Sequence, residues 1–400
     1  MGPLLLLAAC ASDPVEPPKK DFGRPLPEGA PALVKVSLDE WPDLRPVFSD
    51  RKGALIALEE SLQYFQKPSS REWFPYATAD RSITHEEQVE TLTRLKDALQ
   101  RAQNPDEFQG YCLLSFDAYK SVGWDGSGEV LFTAYCEPIF DGRLQPEGEF
   151  QHPLYGLPAP LAKDKDGTPL GWRDASGTVR PSPTRADFAT SQALKGLELV
   201  YLRDPFEVYI AQIQGSARIN LPDGKQLCVG YAGKTEHPYE SIGLWLVEQG
   251  RIPSEELSLT TLKQYFRDHP EELEPTLAIN PCYVFFLERE PGPFGSIGAR
   301  VTPYHTLATD KSVFPRGGPC IVECRLPVAA PGDRTVGFRD ATCLAFDQDT
   351  GGAIRSAGRA DLFVGTGDHA ERLAGMTREV GRLFYLFVRP ASDAQAPGKP

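Results

Sequence analysis

Two aspartates in the last part of this 400-residue chain, Asp349 and Asp361, are the side chains best suited to catalysis. They lie in the segment LAFDQDTGGAIRSAGRADLFVGTGD, residues 344–368, where Asp347 and Asp349 end one apolar run and Asp361 lies inside another. Burial raises the pKa of a carboxyl above its usual value of about 3.9, and a general acid at neutral pH needs such a shift. A structural alternative stays open, in which backbone N–H groups beside a glycine-rich turn satisfy these carboxylates.

Residues 349–351 read Asp-Thr-Gly, the signature of aspartic proteases, which need two aspartates that share a proton. The sequence offers one such triplet, since residues 365–368 run in the reverse order. The histidines do not show the spacing of a zinc helix, and the Gly-x-Ser-x-Gly elbow of serine hydrolases is missing. These residues alone leave open sugar cleavage and a purely structural role.

Gln212, Gln214 and Ser216 form a second candidate site, suited to binding. Their segment, EVYIAQIQGSARI, is rich in β-branched and aromatic residues and predicts a strand with both glutamines on one face. Amide and hydroxyl groups in such a row suit the hydroxyl and N-acetyl groups of sugars. The competing interpretation is the exposed polar face of an ordinary strand.

Two amphipathic helices are predicted ahead of the strands that must carry these residues. Apolar positions at helical spacing indicate one helix within residues 50–67 and a second within residues 84–100. Thr84 and Glu87 predict a capping box at the start of the second helix. Both apolar stripes are expected to face the core.

The rest of the chain is predicted to be mostly strands. From residue 129 onward, β-branched and aromatic segments alternate with turn signals such as the Pro-Asp-Gly at residues 222–224. Short helices are predicted within residues 239–250 and 258–270. The predicted fold class is therefore α+β, mainly β with several helices.

Composition limits the partners. A hydrophobic fraction of 41% is typical of a packed globular protein, and no run approaches the roughly 20 apolar residues of a membrane-spanning helix. The net charge of −13 disfavours nucleic acid as a partner. We expect no metal and no organic cofactor.

The amino terminus predicts a lipid anchor. The residues Leu-Ala-Ala-Cys that end at Cys10 resemble the lipobox of bacterial lipoproteins, and the Pro-rich residues 11–30 resemble a tether. Ala11 follows the cysteine where Asp would resemble an inner-membrane retention signal. The expected location is the outer membrane, facing the periplasm. Seven further cysteines are expected to be structural, with their connectivity open.

Six segments, taken in order, resemble the lytic murein transglycosylase A family. They are IAQIQGSARI, VGYAGKTEHPYESIG, NPCYVFF, TDKSVFPRG, QDTGGAIRSAGRADLFVGTGD and GRLFYLF, and the resemblance spans roughly residues 30–390. The carboxyl-terminal part resembles the three-aspartate (3D) domain, whose namesakes fall on Asp310, Asp349 and Asp361.

The resemblance implies a double-psi β-barrel domain assembled from both ends of the chain, with a second β-barrel domain inserted into it. A groove between them would hold a glycan strand. The implied division is a signal at residues 1–10, a tether at 11–30, the catalytic domain at 31–139 and 291–392, the insertion at 140–290, and a tail at 393–400.

The resemblance also implies a reaction and its residues. Asp361 would be the catalytic acid, then the base, with Asp349 beside it and Asp310 in support. Peptidoglycan strands would be cut between N-acetylmuramic acid and N-acetylglucosamine without water, which leaves 1,6-anhydro ends. The residues implied to line the groove are Thr133, Tyr135, Gln214, Ser216 and Tyr231.

Four residues depart from the family pattern, which usually has Gly at Ala134, Ser356 and Ala360 and Tyr at Cys136. Methyl groups there would alter the turn or narrow the groove. The alternative function is therefore a peptidoglycan-binding lipoprotein that grips glycan without cutting it.

Overall fold

The computed structural model describes residues 20–164, 167–329 and 337–390, so Cys10 lies outside the described residues. The helices in this part of the chain are α1 (Arg51–Phe65), α2 (His85–Arg101), α3 (Pro105–Ser115), α4 (Arg185–Thr190), α5 (Pro205–Gln214), α6 (Ile242–Glu248), α7 (Leu259–Asp268), α8 (Leu273–Leu277) and α9 (Asp368–Met376). The strands there are β1 (Leu33–Lys35), β2 (Tyr76–Ala77), β3 (Ser82–Ile83), β4 (Phe116–Ser121), β5 (Val130–Glu137), β6 (Ile139–Asp141), β7 (His152–Tyr155), β8 (Leu161–Lys163), β9 (Pro169–Arg173), β10 (Val179–Arg180), β11 (Glu198–Leu202), β12 (Ser216–Asn220), β13 (Gln226–Lys234), β14 (Val284–Arg289), β15 (Thr306–Ala308), β16 (Pro319–Val328), β17 (Gly337–Asp349), β18 (Arg359–Thr366) and β19 (Arg378–Val388).

Helices α1 and α2 confirm the two predicted amphipathic helices. The capping box is formed, because Glu87 donates its N–H to Thr84 Oγ1 at 3.1 Å and Thr84 donates its N–H to Glu87 Oε2 at 2.8 Å. The apolar faces pack against strands β17 and β19 in one core cluster that includes Leu92, Phe346 and Phe384. These two helices therefore cover one side of the sheet that contains β17 and β19.

Six strands close into a barrel in the order β19-β16-β17-β15-β18-β5, and pairing of β5 with β19 completes the circle. Strand β5 precedes the insertion, whereas the other five follow it. Strands β5 and β18 are parallel, as are β15 and β17. This arrangement confirms the predicted barrel assembled from both ends of the chain.

The inserted part, for which the resemblance implied a second β-barrel, is rich in β-structure. Its largest sheet has the order β14-β13-β12-β6, with smaller sheets formed by β7 with β11 and by β8, β9 and β10. Helix α5 packs on the large sheet through a buried cluster that includes Ile210, Val229 and Phe286. The turn between β12 and β13 and the helices α6 and α7 occur where the sequence predicted them.

The strand predicted through Gln212 and Gln214 is wrong. This segment is helix α5, and Gly215, in a left-handed conformation with φ 75°, ends it before β12 begins. Asp204 caps the helix, since its Oδ1 accepts the N–H of Phe206 at 2.8 Å. A cap at one end and a glycine at the other override the local strand propensity.

Part of the predicted tether contacts the barrel domain. Lys20 Nζ lies 2.6 Å from Glu129 Oε2, and the ring of Phe22 lies 5.8 Å from that of Trp124. Phe22 therefore packs on the barrel domain, because an aromatic side chain has apolar surface to bury.

No helix in the described ranges is long and apolar enough to cross a membrane. The seven cysteines of these ranges are all free thiols, and six of them are buried. They act as small apolar side chains, as expected.

The insertion meets the barrel at the end of β5. Arg218 Nε lies 2.6 Å from the buried Glu137 Oε2, which also accepts the hydroxyl of Thr366 at 2.9 Å. Lys263 of α7 forms a further ion pair with Glu371 of α9. These contacts hold the inserted sheet beside β18, which carries Asp361.

Candidate active site

Strand register brings Asp349 and Asp361 together. Asp361 on β18 pairs with Ala308 on β15, and Ala308 pairs with Asp349 at the end of β17. On its other side Asp361 pairs with Thr133 on β5. The two carboxylates therefore flank one short strand, β15, although 12 positions separate them in the sequence.

Asp361 is half-buried, and burial is the largest effect on its carboxyl. Burial and the nearby Asp349 charge raise the pKa of Asp361 to about 6, although a hydrogen bond from Thr133 Oγ1 (2.9 Å, to Oδ1) and the Arg359 charge oppose the rise. The direction of this shift is the one that the sequence predicted for a buried carboxyl. Oδ2 has no hydrogen-bond partner in the described part of the chain and can carry a proton.

In the part of the chain that the structure describes, the Asp349 carboxylate accepts three hydrogen bonds, whereas that of Asp361 accepts one. Its Oδ2 accepts the Tyr135 hydroxyl at 2.8 Å, and its Oδ1 accepts the N–H groups of Ser296 and Thr350 at 2.9 and 2.8 Å. Burial nevertheless raises the pKa of Asp349. Of two neighbouring carboxyls, the one with more donors better tolerates ionisation, so this arrangement favours Asp349 as the anion and Asp361 as the acid.

Asp310 binds a loop, and its hydrogen-bond partners differ from those of Asp349 and Asp361. Its oxygens accept the N–H of Ser356 at 2.7 Å and the N–H and hydroxyl of Ser312 at 3.0 and 2.7 Å. Burial opposes ionisation, but these hydrogen bonds lower the pKa of Asp310. The supporting role implied for this residue stays a prediction.

Asp347, beside Asp349 in sequence, is a fully buried member of an ion pair with Lys311. Its carboxylate also accepts the hydroxyls of Thr309 at 2.7 Å and Tyr385 at 2.8 Å. These contacts link the strands inside the barrel. Asp347 is thus structural.

Arg359 is a site residue that the sequence did not predict. Its Nη2 donates to Thr133 Oγ1 at 3.3 Å, and the same hydroxyl donates to Asp361. Because Thr133 Oγ1 accepts a hydrogen bond from Arg359, its own proton is directed at the Asp361 carboxylate. Arg359 lies two positions before Asp361, so strand alternation puts both on one face, and that spacing was the available signal.

The residues predicted to line the groove fall into two groups. The hydroxyls of Thr133 and Tyr135 are bound to Asp361 and Asp349, so these residues orient the carboxylates. The other three belong to the inserted part: Gln214 ends α5, Ser216 begins β12, and Tyr231 follows Gly230, the register partner of Ser216.

Gln214 is the last residue of α5, and its Oε1 accepts the N–H of Cys136 at 3.1 Å. Its NH₂ group has no protein partner in the described residues, and the same holds for the hydroxyls of Ser216 and Tyr231. Tyr231 is 46% exposed. These three side chains offer free polar groups to a ligand.

Two of the residues that depart from the family pattern, Ala134 and Ala360, point away from the carboxylates. Ala360 is fully buried and Ala134 packs against the same barrel core, on the opposite side of their strands from Asp361 and Thr133. Ser356 has φ 65°, a conformation that favours the glycine of the family pattern.

One group in the described residues could hold a metal ion. His269, Glu271 and Glu272 have possible ligand atoms within 4.8 Å of one another. The group is mostly exposed, and Glu272 already accepts the Tyr265 hydroxyl at 2.5 Å. It belongs to the insertion and not to the carboxylate site.

Comparisons with known proteins agree with this fold. The MltA specific insert domain matches residues 131–287, and the 3D domain matches residues 305–387. A membrane-bound lytic murein transglycosylase A from Vibrio cholerae is 33% identical over 279 residues, which cover 69% of this chain and 70% of that protein.

Solved structures share the fold. A membrane-bound lytic murein transglycosylase from Agrobacterium tumefaciens has a TM-score of 0.71 at 24% identity, over 90% of this chain and 99% of that one. Escherichia coli MltA with bound chitohexaose has a TM-score of 0.68 at 23% identity, over 93% and 100%. The barrel, its insertion and the matches to known relatives define a lytic murein transglycosylase. The chain belongs to the lytic murein transglycosylase A family.

Proposed function

We propose that this enzyme cuts murein between N-acetylmuramic acid and N-acetylglucosamine without water, leaving 1,6-anhydro ends, and that Asp361 acts as acid and then as base. The observation that carries the proposal is the pairing of Asp361, whose pKa is raised to about 6, with Asp349, which has three donors. A pKa near 6 leaves about one molecule in ten protonated at pH 7. That fraction is adequate for a general acid.

In the first step, protonated Asp361 gives its proton from Oδ2 to the glycosidic oxygen. The bond from that oxygen to C1 breaks, and positive charge develops on C1 and the ring oxygen. The Asp349 carboxylate stabilises this charge electrostatically. Because its donors hold it in place, no reorganisation is needed at that moment.

In the second step, the Asp361 carboxylate takes the proton of the C6 hydroxyl of the same sugar. O6 then bonds to C1 and closes the anhydro ring, and Asp361 is protonated again as at the start. The attack is intramolecular and gains from high effective molarity when the groove holds the ring in position. The reaction therefore consumes no water and needs no second carboxylate as nucleophile.

The groove supplies binding groups for the sugars. The free NH₂ of Gln214 and the free hydroxyls of Ser216 and Tyr231 suit sugar hydroxyls and N-acetyl groups. A relative of the same fold has been solved with bound chitohexaose, which is a chain of N-acetylated sugars. We take the groove between β18 and the inserted sheet as the glycan site, with the catalytic domain at residues 31–139 and 291–392 and the insertion at 140–290.

Digestion of purified murein sacculi in water of heavy oxygen tests the reaction. A transglycosylase releases 1,6-anhydro fragments without the heavy isotope, whereas a hydrolase places it on the new reducing end. Labelled reducing ends would contradict the proposal. Sedimentation with sacculi and no released fragments would favour the non-catalytic binding protein.

We also propose that Cys10 is lipidated and anchors the enzyme in the outer membrane, facing the periplasm. The lipobox-like residues before Cys10 support this, as do the names of relatives described as membrane-bound. Cells fed labelled palmitate should label the native protein and not Cys10→Ala. Label that persists in the variant would exclude Cys10 as the attachment site.

A further inference from the structure

A hairpin at residues 293–301 connects the inserted sheet to the carboxylate site. Phe294 and Arg300 pair across it. Near its tip Ser296 donates its N–H to Asp349 Oδ1 at 2.9 Å. The hairpin is therefore fixed directly beside the proposed site of bond cleavage.

Three cations lie on or beside this hairpin. The guanidinium carbons of Arg289 and Arg300 each lie 5.5 Å from the ring centre of Phe294. Lys67 adds a third positive charge, because its Nζ donates to the Ile297 carbonyl at 3.4 Å. We call Arg289, Phe294 and Arg300 the cationic platform.

Both arginines of the platform are exposed and have no ion-pair partner among residues 20–164, 167–329 and 337–390. The nearby acids do not neutralise them directly. Glu60 accepts the backbone N–H of Arg300 at 2.9 Å, and the exposed Glu288 and Glu290 flank Arg289 in sequence. Stacking on a ring holds a guanidinium in place while its donors stay free.

The platform also borders the part of the inserted sheet that carries Ser216. A side chain added at Gly230 would lie 3.0 Å from Cγ of Arg289, and Gly230 is the register partner of Ser216. Arg289 therefore lies between Ser216, a proposed sugar contact, and the hairpin that holds Asp349. A chain in the groove would pass along the platform.

We infer that the cationic platform binds carboxylates of the peptide stems that murein bears on N-acetylmuramic acid. The inference rests on the proposed function, because it needs a murein strand in the groove. A guanidinium binds a carboxylate through two parallel hydrogen bonds, whereas neutral sugars do not require unpaired cations. The platform would thus favour stem-bearing strands over bare glycan.

The test compares kcat/KM on soluble murein strands with their stems and on the same strands after an amidase has removed the stems. The ratio of the two values measures the preference for stems. In Arg289→Gln/Arg300→Gln we expect this ratio to fall about tenfold, since two exposed charge-assisted contacts are lost. An unchanged ratio, or an equal loss on both strands, would overturn the inference.

Arg325→Gln is the matched control. Its guanidinium carbon also lies 5.5 Å from a ring centre, that of Phe338, near the start of β17 and so at the opposite end of this strand from Asp349. We expect the native ratio in this variant. If the native enzyme forms no anhydro ends from either strand type, the proposed function fails, an outcome separate from a failure of the platform.

Discussion

Replacing Thr133 with Val changes the pKa of Asp361 and keeps the shape of the side chain at position 133 nearly the same. The two side chains differ in the hydroxyl that donates to Asp361 Oδ1 at 2.9 Å. Burial sets the raised pKa of Asp361, and this hydrogen bond opposes it by stabilising the ionised form. Without the bond, the pKa of Asp361 should rise further above about 6.

The size of the shift follows from the strength of the bond. A hydrogen bond to a charged group contributes about 1.5–3 kcal/mol, and about 1.4 kcal/mol corresponds to one pKa unit. The pKa of Asp361 in Thr133→Val should therefore rise by about one to two units.

The pH dependence of kcat/KM on soluble murein reports this change, because that parameter follows the acid of the free enzyme. Native activity should fall as the pH rises through about 6, since Asp361 must begin protonated. The falling limb of Thr133→Val should lie about one to two pH units higher. Thr133→Ser keeps the hydroxyl and serves as the control, with its limb near the native position. A Thr133→Val limb at or below the native pH, whatever the absolute rate, refutes the reasoning.

Three further changes test the energetics of the site by denaturant unfolding. Ser356→Gly should raise the free energy of unfolding by up to about 1 kcal/mol, because φ is 65° and the buried hydroxyl has no partner in the described residues. Asp361→Asn should stabilise the protein at pH 8 by about 3 kcal/mol and lose this gain below about pH 4. The reason is that the pKa of Asp361 is about 6 in the folded state, above its ordinary value of 3.8. Ionisation of this carboxyl therefore destabilises the folded state as the pH rises through these two values. Lys311→Met should destabilise it by about 3–5 kcal/mol, since the buried Asp347 loses its cation.

Each of these changes has its own control. Ser356→Ala removes the hydroxyl and keeps Cβ, so it should recover less stability than Ser356→Gly; an equal gain would exclude a backbone origin. A gain for Asp361→Asn that is the same at pH 4 and pH 8 would contradict the raised pKa. Adding Asp347→Asn to Lys311→Met should restore part of the loss, and a further loss would contradict an unpaired charge as its cause.

Local sequence signals identified many elements correctly and failed where two signals competed. Helix α2 was predictable because its apolar stripe and its capping box agree. Helix α5 was mistaken for a strand because its β-branched and aromatic residues outweighed Asp204 and Pro205, which are typical of a helix start. Helices α3 and α9 were not predicted, although the former also begins with an Asn-Pro start signal at Asn104.

The candidate site could be predicted as residues but not as geometry. Asp349 and Asp361 were identifiable from their sequence surroundings, yet their proximity depends on the register of β15 between their strands. Pairing of β18 with β5 places Thr133 beside Asp361, and Tyr135 of β5 binds Asp349, whereas the family resemblance implied that both residues line the groove. Long-range register of this kind is set by tertiary packing, which a local pattern does not encode.

The measurement that decides the role of Asp361 is the release of anhydro fragments from murein sacculi by Asp361→Asn, followed by mass spectrometry. Asparagine keeps the shape and cannot lend a proton, so release should fall about 10²–10⁴-fold while the variant stays folded. Asp340→Asn, an exposed position at the far end of β17, is the control and should release fragments like the native enzyme. Release by Asp361→Asn within a few-fold of native would show that this carboxyl is not the acid.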